Sequence, residues 1–123
     1  MAKVMLVEDD TNLSEIYQAR LAAEGYEIVS AHDGEEALAL AAKEKPDLIV
    51  SDVMMPKISG FDVLDILHNT PETGRAKIVM LTARGQDSDQ ARAKALGADD
   101  YLVKSQVVIS DVVAKIKYHL NLE

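Results

Sequence analysis

Acidic side chains, a hydroxyl and an ammonium each stand at the end of an apolar run in this chain. Glu8, Asp9 and Asp10 follow Lys3–Val7, Asp52 follows Leu48–Ser51, Thr82 follows Ile78–Leu81, and Lys104 follows Tyr101–Val103. Clustered carboxylates repel one another unless a cation intervenes. Hard oxygen ligands suit Mg²⁺, which keeps several waters and uses only one or two carboxylates. Asp52 is the candidate nucleophile, because a carboxylate is already ionised at neutral pH and attacks phosphorus without a general base. Lys104 offers a mobile ammonium for phosphate oxygens, and Thr82 a hydroxyl donor. Met54 lies two residues past Asp52, where its backbone carbonyl is in reach of a cation held by the acids. Taken singly, an acid here reads better as a helix cap and Thr82 as a cap or loop residue. Lys104 competes with an ordinary surface lysine, although a lysine ending an apolar strand is less ordinary. Asp10 in particular reads as a cap. The conjunction points to a site.

These groups meet only if the runs are parallel strands whose carboxyl ends share one sheet edge, the place where open α/β sheets bind ligands. Strand candidates are Lys3–Val7, Glu27–Ala31, Leu48–Ser51, Lys77–Leu81 and Asp100–Val103. They are rich in Val, Ile and Leu and mostly lack polar alternation, as strands covered on both faces do. Helical periods lie between them. Asn12 with Glu15 reads as the opening of a first helix with Leu13, Ile16, Tyr17 and Leu21 on one face and Gly25 as its stop. Asp33 with Glu36 opens a second, through Lys43, and Pro46 closes that connection. Gly60 opens a third with Val63, Ile66 and Leu67 inward, ending before Pro71. A fourth spans 87–96 and stops at Gly97. A fifth sets Ile109, Val112, Val113, Ile116 and Leu120 on one face. This βαβαβαβαβα order, with right-handed crossovers, predicts a doubly wound three-layer α/β sandwich.

Composition narrows the function. A length of 123 residues fits one domain, 1–123, large enough to bury about two-thirds of its unfolded surface. There is no cysteine, so neither a disulfide framework nor thiolate chemistry. Lys+Arg is 13 against Asp+Glu 21, a net charge of −8 that disfavours direct nucleic-acid binding. No run approaches the ~18 apolar residues of a membrane span, and the first apolar run meets acids too soon for a signal peptide. The expectation is a cytoplasmic protein without membrane insertion.

The chain resembles the receiver domain of two-component response regulators. The resemblance rests on Leu6-Val7-Glu8-Asp9-Asp10, on Ser51-Asp52-Val53-Met54-Met55-Pro56 with Gly60, on Leu81-Thr82-Ala83, and on Gly97-Ala98-Asp99-Asp100-Tyr101-Leu102-Val103-Lys104. It covers essentially the whole chain and looks most like the stand-alone, chemotaxis-type members. It implies a flavodoxin-like sandwich with five parallel strands in the order 2-1-3-4-5 and five helices. It also implies that Asp52 accepts a phosphoryl group from a phosphohistidine of a sensor histidine kinase or phosphotransfer protein. Glu8, Asp9 and Asp52 then hold Mg²⁺, Asp9 directly and Glu8 through water, with the Met54 carbonyl beside them. Thr82 and Lys104 contact the phosphoryl group. Tyr101 matches the aromatic that turns inward when Thr82 moves, reshaping a protein-binding face made of the fourth helix, fifth strand and fifth helix. On this reading the chain is a switch rather than an enzyme, working without an output domain of its own, and Met1 reads as a native start.

Two departures carry expectations. Receivers usually follow the lysine with proline, often in cis, whereas this chain reads Lys104-Ser105-Gln106-Val107-Val108-Ile109. Either a strained cis bond persists at Ser105, at a cost of ~2.5–4 kcal/mol, or the lysine arrives by another path. The apolar trio Val107, Val108 and Ile109 reads as a buried helix start, in preference to a partner surface. Met54 and Arg84, two residues past Asp52 and Thr82, suggest slow self-dephosphorylation. The competing functions are weaker. A Mg²⁺-dependent aspartyl phosphohydrolase usually has a second aspartate where Met54 stands. A phosphate-independent interaction module has no need of the intact acids, threonine and lysine. A flavin protein of this topology needs a Ser/Thr/Gly-rich loop after the first strand.

Overall fold

The computed structural model describes residues 2–55 and 57–121; Met1, Pro56, Leu122 and Glu123 lie outside the described residues. In chain order the elements are β1 (Lys3–Val7), α1 (Thr11–Ala23), β2 (Glu27–Ala31), α2 (Gly34–Glu44), β3 (Leu48–Ser51), α3 (Gly60–Asn69), β4 (Lys77–Thr82), α4 (Asp87–Ala95), β5 (Asp100–Val103), a 3₁₀ turn (Lys104–Gln106) and α5 (Ile109–Leu120). The strands form one sheet in the order β2-β1-β3-β4-β5, every neighbouring pair parallel. The architecture is the five-stranded, flavodoxin-like sandwich expected from the sequence.

Side chains alternate across a strand, and the alternation divides the core in two. Met5, Val7, Ile49, Ile78 and Met80 face α2, α3 and α4. Val4, Leu6, Val50, Val79 and Leu81 face α1 and α5. Register matters for the site. Val7 lies beside Ser51 and Thr82 beside Val103, so the residues that follow emerge side by side.

Helix termini agree with the sequence at some places and correct it at others. Asp33 accepts from the Glu36 N–H (2.8 Å), while the Glu36 carboxylate accepts from the His32 N–H (3.0 Å). The first helix is capped by Asp10, which accepts from the Leu13 N–H at 3.0 Å, not by Asn12. Either residue has the right side chain; the chain turns at Asp10, whose backbone is extended as a cap requires. Ile16 and Ile66 were expected inward, yet they are 51% and 46% exposed. In α1 the buried line runs through Ser14, Tyr17 and Leu21, because Ser14 finds partners in Gln18 (2.9 Å) and Ser30 (3.4 Å) on β2. In α3 it runs through Phe61, Val63, Leu64 and Leu67, leaving Ile66 on the shoulder. Val108 is 64% exposed, and Val107 and Ile109 are half-buried. The expected burial of that trio fails at its middle residue, which precedes α5 and points away from its apolar face.

No peptide bond among the described residues is cis. Lys104 therefore reaches the sheet edge by the second path, through a trans bond and a 3₁₀ turn in place of proline.

Candidate functional site

Parallel pairing brings the ends of β1, β3, β4 and β5 to one edge. The chain leaves β1 with the Glu8 N–H donating to the Ala31 carbonyl (3.0 Å) and leaves β3 with the Asp52 N–H donating to the Val7 carbonyl (3.2 Å). These bonds continue the sheet one residue past each strand and so fix both carboxylates. Glu8 and Asp52 are buried and Asp9 is exposed. One oxygen from each of the three lies within 4.8 Å of the others.

Lys104 closes the group from β5. Its Nζ donates to Glu8 Oε1 at 2.8 Å and to Asp52 Oδ2 at 2.9 Å. The second Asp52 oxygen accepts from the Met54 N–H at 3.0 Å. Both acceptor oxygens of Asp52 are thus engaged, one by a charge and one by a backbone dipole. Burial pushes the Glu8 carboxyl up, Lys104 pulls it partly back and the Asp52 charge adds to the rise, leaving it at about 7. Burial opposes the Lys104 charge, but its hydrogen bonds to the two carboxylates outweigh this and hold its pKa above the ordinary lysine value.

Three carboxylates around one ammonium leave negative charge in excess. Their oxygens converge, and the donor set is all hard oxygen. Glu8, Asp9 and Asp52 fit a small divalent cation such as Mg²⁺ on that chemistry.

Thr82 ends β4 with its side chain fully buried, and its Oγ1 accepts from the Arg84 N–H at 3.3 Å. Tyr101 sits apart from the carboxylates, half-buried, with its hydroxyl donating to the Arg84 carbonyl at 2.6 Å. Asp10 is occupied as a cap and takes no part. Exposed Met54 lies at the rim.

Sequence reasoning missed two features. One is the pairing of Arg84 with Asp89, Nε to Oδ2 at 3.2 Å and Nη2 to Oδ1 at 3.1 Å. The pair crosses from loop to helix, and no periodicity signals it. The other is Gly60, a residue the sequence marks only as a turn and a helix start. Its N–H donates to the Val53 carbonyl (2.8 Å), and a Cβ there would collide with the Asp52 carbonyl oxygen and the Val53 backbone. The first residue of α3 is thus pressed against the acceptor's own backbone.

Known proteins resemble this chain over most of its length. Residues 4–117 match the family model described as the response regulator receiver domain. The phosphate regulon transcriptional regulatory protein PhoB of Rhizobium meliloti is 42% identical over 121 residues, 98% of this chain and 53% of that protein. The transcriptional regulatory protein CpxR of Escherichia coli K12 is 45% identical over 104 residues, 85% of this chain and 43% of that protein. The chain therefore spans about half the length of the curated relatives it matches. Among solved structures, a putative response regulator from Chloroflexus aurantiacus superposes with a TM-score of 0.90 at 33% identity, covering 98% of each chain. The chemotaxis response regulator CheY4 of Vibrio cholerae gives 0.89 at 33% identity, covering 97% of this chain and 98% of that one.

Proposed function

This chain belongs to the response regulator receiver domain family of two-component systems, and on that premise we propose that Asp52 accepts a phosphoryl group from a phosphohistidine of a sensor histidine kinase or phosphotransfer protein. The observation that carries the reading is the Lys104 ammonium bridging Glu8 and Asp52 at 2.8 and 2.9 Å. It gathers residues from three strand ends around one buried carboxylate.

In the transfer, an Asp52 carboxylate oxygen bonds to phosphorus while the phosphorus–nitrogen bond breaks, its electron pair staying on the imidazole. Little covalent assistance is needed, because phosphoryl transfer depends mostly on positioning and charge. Asp52 is positioned by the Met54 N–H and by the sheet bond from its own N–H to Val7. Lys104 neutralises charge on the phosphoryl oxygens, and the Thr82 hydroxyl donates to them. Glu8, Asp9, Asp52 and the Met54 backbone carbonyl would hold Mg²⁺, which when bound neutralises further charge on those oxygens. Thr82 and Tyr101 carry the response to the face of α4, β5 and α5, where a downstream protein binds. The chain acts as a cytoplasmic switch, with self-catalysed phosphorylation and slow self-dephosphorylation at most. Among the described residues no helix is long and apolar enough to cross a membrane. Two of the relatives are named as transcriptional regulatory proteins; the reading here concerns the part that this chain shares with them.

Intact mass after incubation with Mg²⁺ and acetyl phosphate tests the assignment. The expected result is a gain of one phosphoryl group, absent in Asp52→Asn and in the presence of a chelator. No gain by a protein folded by circular dichroism would overturn it in favour of a phosphate-independent interaction module. Replacing Met54 with Asn is expected to shorten the life of the phosphorylated form; an unchanged half-life would remove Met54 from the account of slow dephosphorylation.

A further inference from the structure

The loop from Thr82 to the start of α4 is tied at three points, and all three involve Arg84. Its N–H donates to Thr82 Oγ1 at 3.3 Å. Its carbonyl accepts from the Tyr101 hydroxyl at 2.6 Å. Its guanidinium grips both carboxylate oxygens of Asp89 at 3.2 and 3.1 Å. Asp89 sits in the first turn of α4 and is 6% exposed. An aspartate there ordinarily faces water, where it complements the partial positive charge of a helix N-terminus. Here it points inward onto the loop. Gln86, which precedes the helix, supplies no side-chain cap.

Geometry sets what this arrangement resists. Thr82 is fully buried and its oxygen already accepts from Arg84. Turning that hydroxyl toward an anion on Asp52 loosens its bond to the Arg84 N–H and moves the loop. Moving the loop strains the two-point Arg84–Asp89 grip, which is directional as well as charged. The same movement draws the Arg84 carbonyl away from Tyr101.

We propose that Arg84 and Asp89 form a latch that holds the β4–α4 loop in its resting position and opposes the movement of Thr82 toward an anion on Asp52. The latch deepens the phosphoacceptor reading and rests on it. Arg84 and Asp89 are positioning residues that act through Thr82 and Tyr101. A grip present mainly in the resting form lowers the affinity for any ligand that favours the other form, by the share of the population it withholds.

The test uses beryllofluoride with Mg²⁺ as the anion, titrated by NMR on the amides of Thr82 and Tyr101. Asp89→Asn and Arg84→Ala are each expected to bind beryllofluoride about five-fold tighter, corresponding to about 1 kcal/mol for a pair half exposed at its arginine. The double variant is expected to gain no more than either alone. Without beryllofluoride, the Thr82 amide of each variant is expected to shift toward its bound position. Arg84→Lys, which keeps the charge but loses the two-point grip, is expected to fall between. Arg84→Ala removes the exposed partner, so it keeps the test open should Asp89→Asn fail to fold. Unchanged or weaker binding in a folded variant overturns the latch and leaves the phosphoacceptor reading standing. If the wild-type protein shows no shift while remaining folded, the phosphoacceptor reading fails and the latch with it.

Discussion

Helices α4 and α5 flank the same strand, β5, yet they are held by different forces. α5 buries Val112, Val113, Ile116 and His119 and half-buries Ile109 and Leu120. Polar ties then fasten it. The His119 Nε2 meets Asp100 Oδ2 at 2.9 Å, and Lys117 pairs with Glu24 at the end of α1. α4 buries only Asp89 and Ala93. Beyond the buried Ala93, it is held by the Arg84–Asp89 grip and the Arg92 guanidinium lying 4.2 Å over the Phe61 ring of α3. Apolar burial is non-directional and summed over many contacts, so α5 is fixed wherever its stripe fits the sheet. Directional contacts such as the Arg84–Asp89 pair and the Arg92–Phe61 stack fix α4 in one place with less apolar burial behind them. A helix held this way is expected at the low-stability end of the molecule, from which moving elements are drawn.

The contrast can be broken at its strong end first. Ile116→Ala removes a fully buried α5 side chain and is expected to cost about 2–5 kcal/mol in urea unfolding. A cost under 1 kcal/mol would mean that α5 is not held by its core stripe. Ala93→Gly is the nearest counterpart in α4 and is expected to cost only about 1 kcal/mol, mostly from helix propensity. Native-state hydrogen exchange sharpens the same point: amides of α4 are expected to open at lower free energy than those of α5, and equal protection would dissolve the distinction. Arg92→Ala removes the contact with Phe61 and is expected to cost about 0.5–1 kcal/mol, with faster exchange confined to α4.

The smallest expected effect is a pH dependence on the α5 side. Burial tends to raise the Asp100 pKa, but hydrogen bonds from His119 and the Tyr101 N–H, with the Lys115 charge, together lower it below its ordinary 3.8. A carboxylate with a depressed pKa stabilises the fold above its unfolded value, and that contribution is lost as pH falls through the folded one. Asp100→Asn is therefore expected to flatten the stability profile below about pH 4. An identical acid limb in the variant would show that the contacts of Asp100 with His119, the Tyr101 N–H and Lys115 contribute nothing together.

Much of this was legible in the residues. The five strands lie where their apolar runs lie, with β4 one residue longer to include Thr82, because strands covered on both faces carry an uninterrupted apolar signal. Glu8, Asp52 and Lys104 could be placed together, with Thr82 at the same sheet edge, because parallel strands send all their carboxyl ends to one edge. Less legible was anything set by rotation about a helix axis. Ile16 and Ile66 have the right residue type but lie off the buried stripe, which Ser14 and Phe61 occupy instead. The sequence offers both Asp10 and Asn12 as caps, and only the path of the chain, extended at Asp10, decides between them. The trans path through Ser105 was one of two open routes, and it took the backbone itself to choose. Arg84 with Asp89 left no trace at all, because a contact between loop and helix has no period.

Gly60 has one further consequence. The acceptor's surroundings depend on a residue without a side chain, pressed between α3 and the Asp52 carbonyl. Chemical labelling and charge-reversal surveys look for functional groups, and they would pass over this position. During drift, even the smallest substitution at 60 has to displace the backbone of the acceptor or the start of α3. Two parts of the molecule that share no charge and no side-chain bond are thereby obliged to evolve as one.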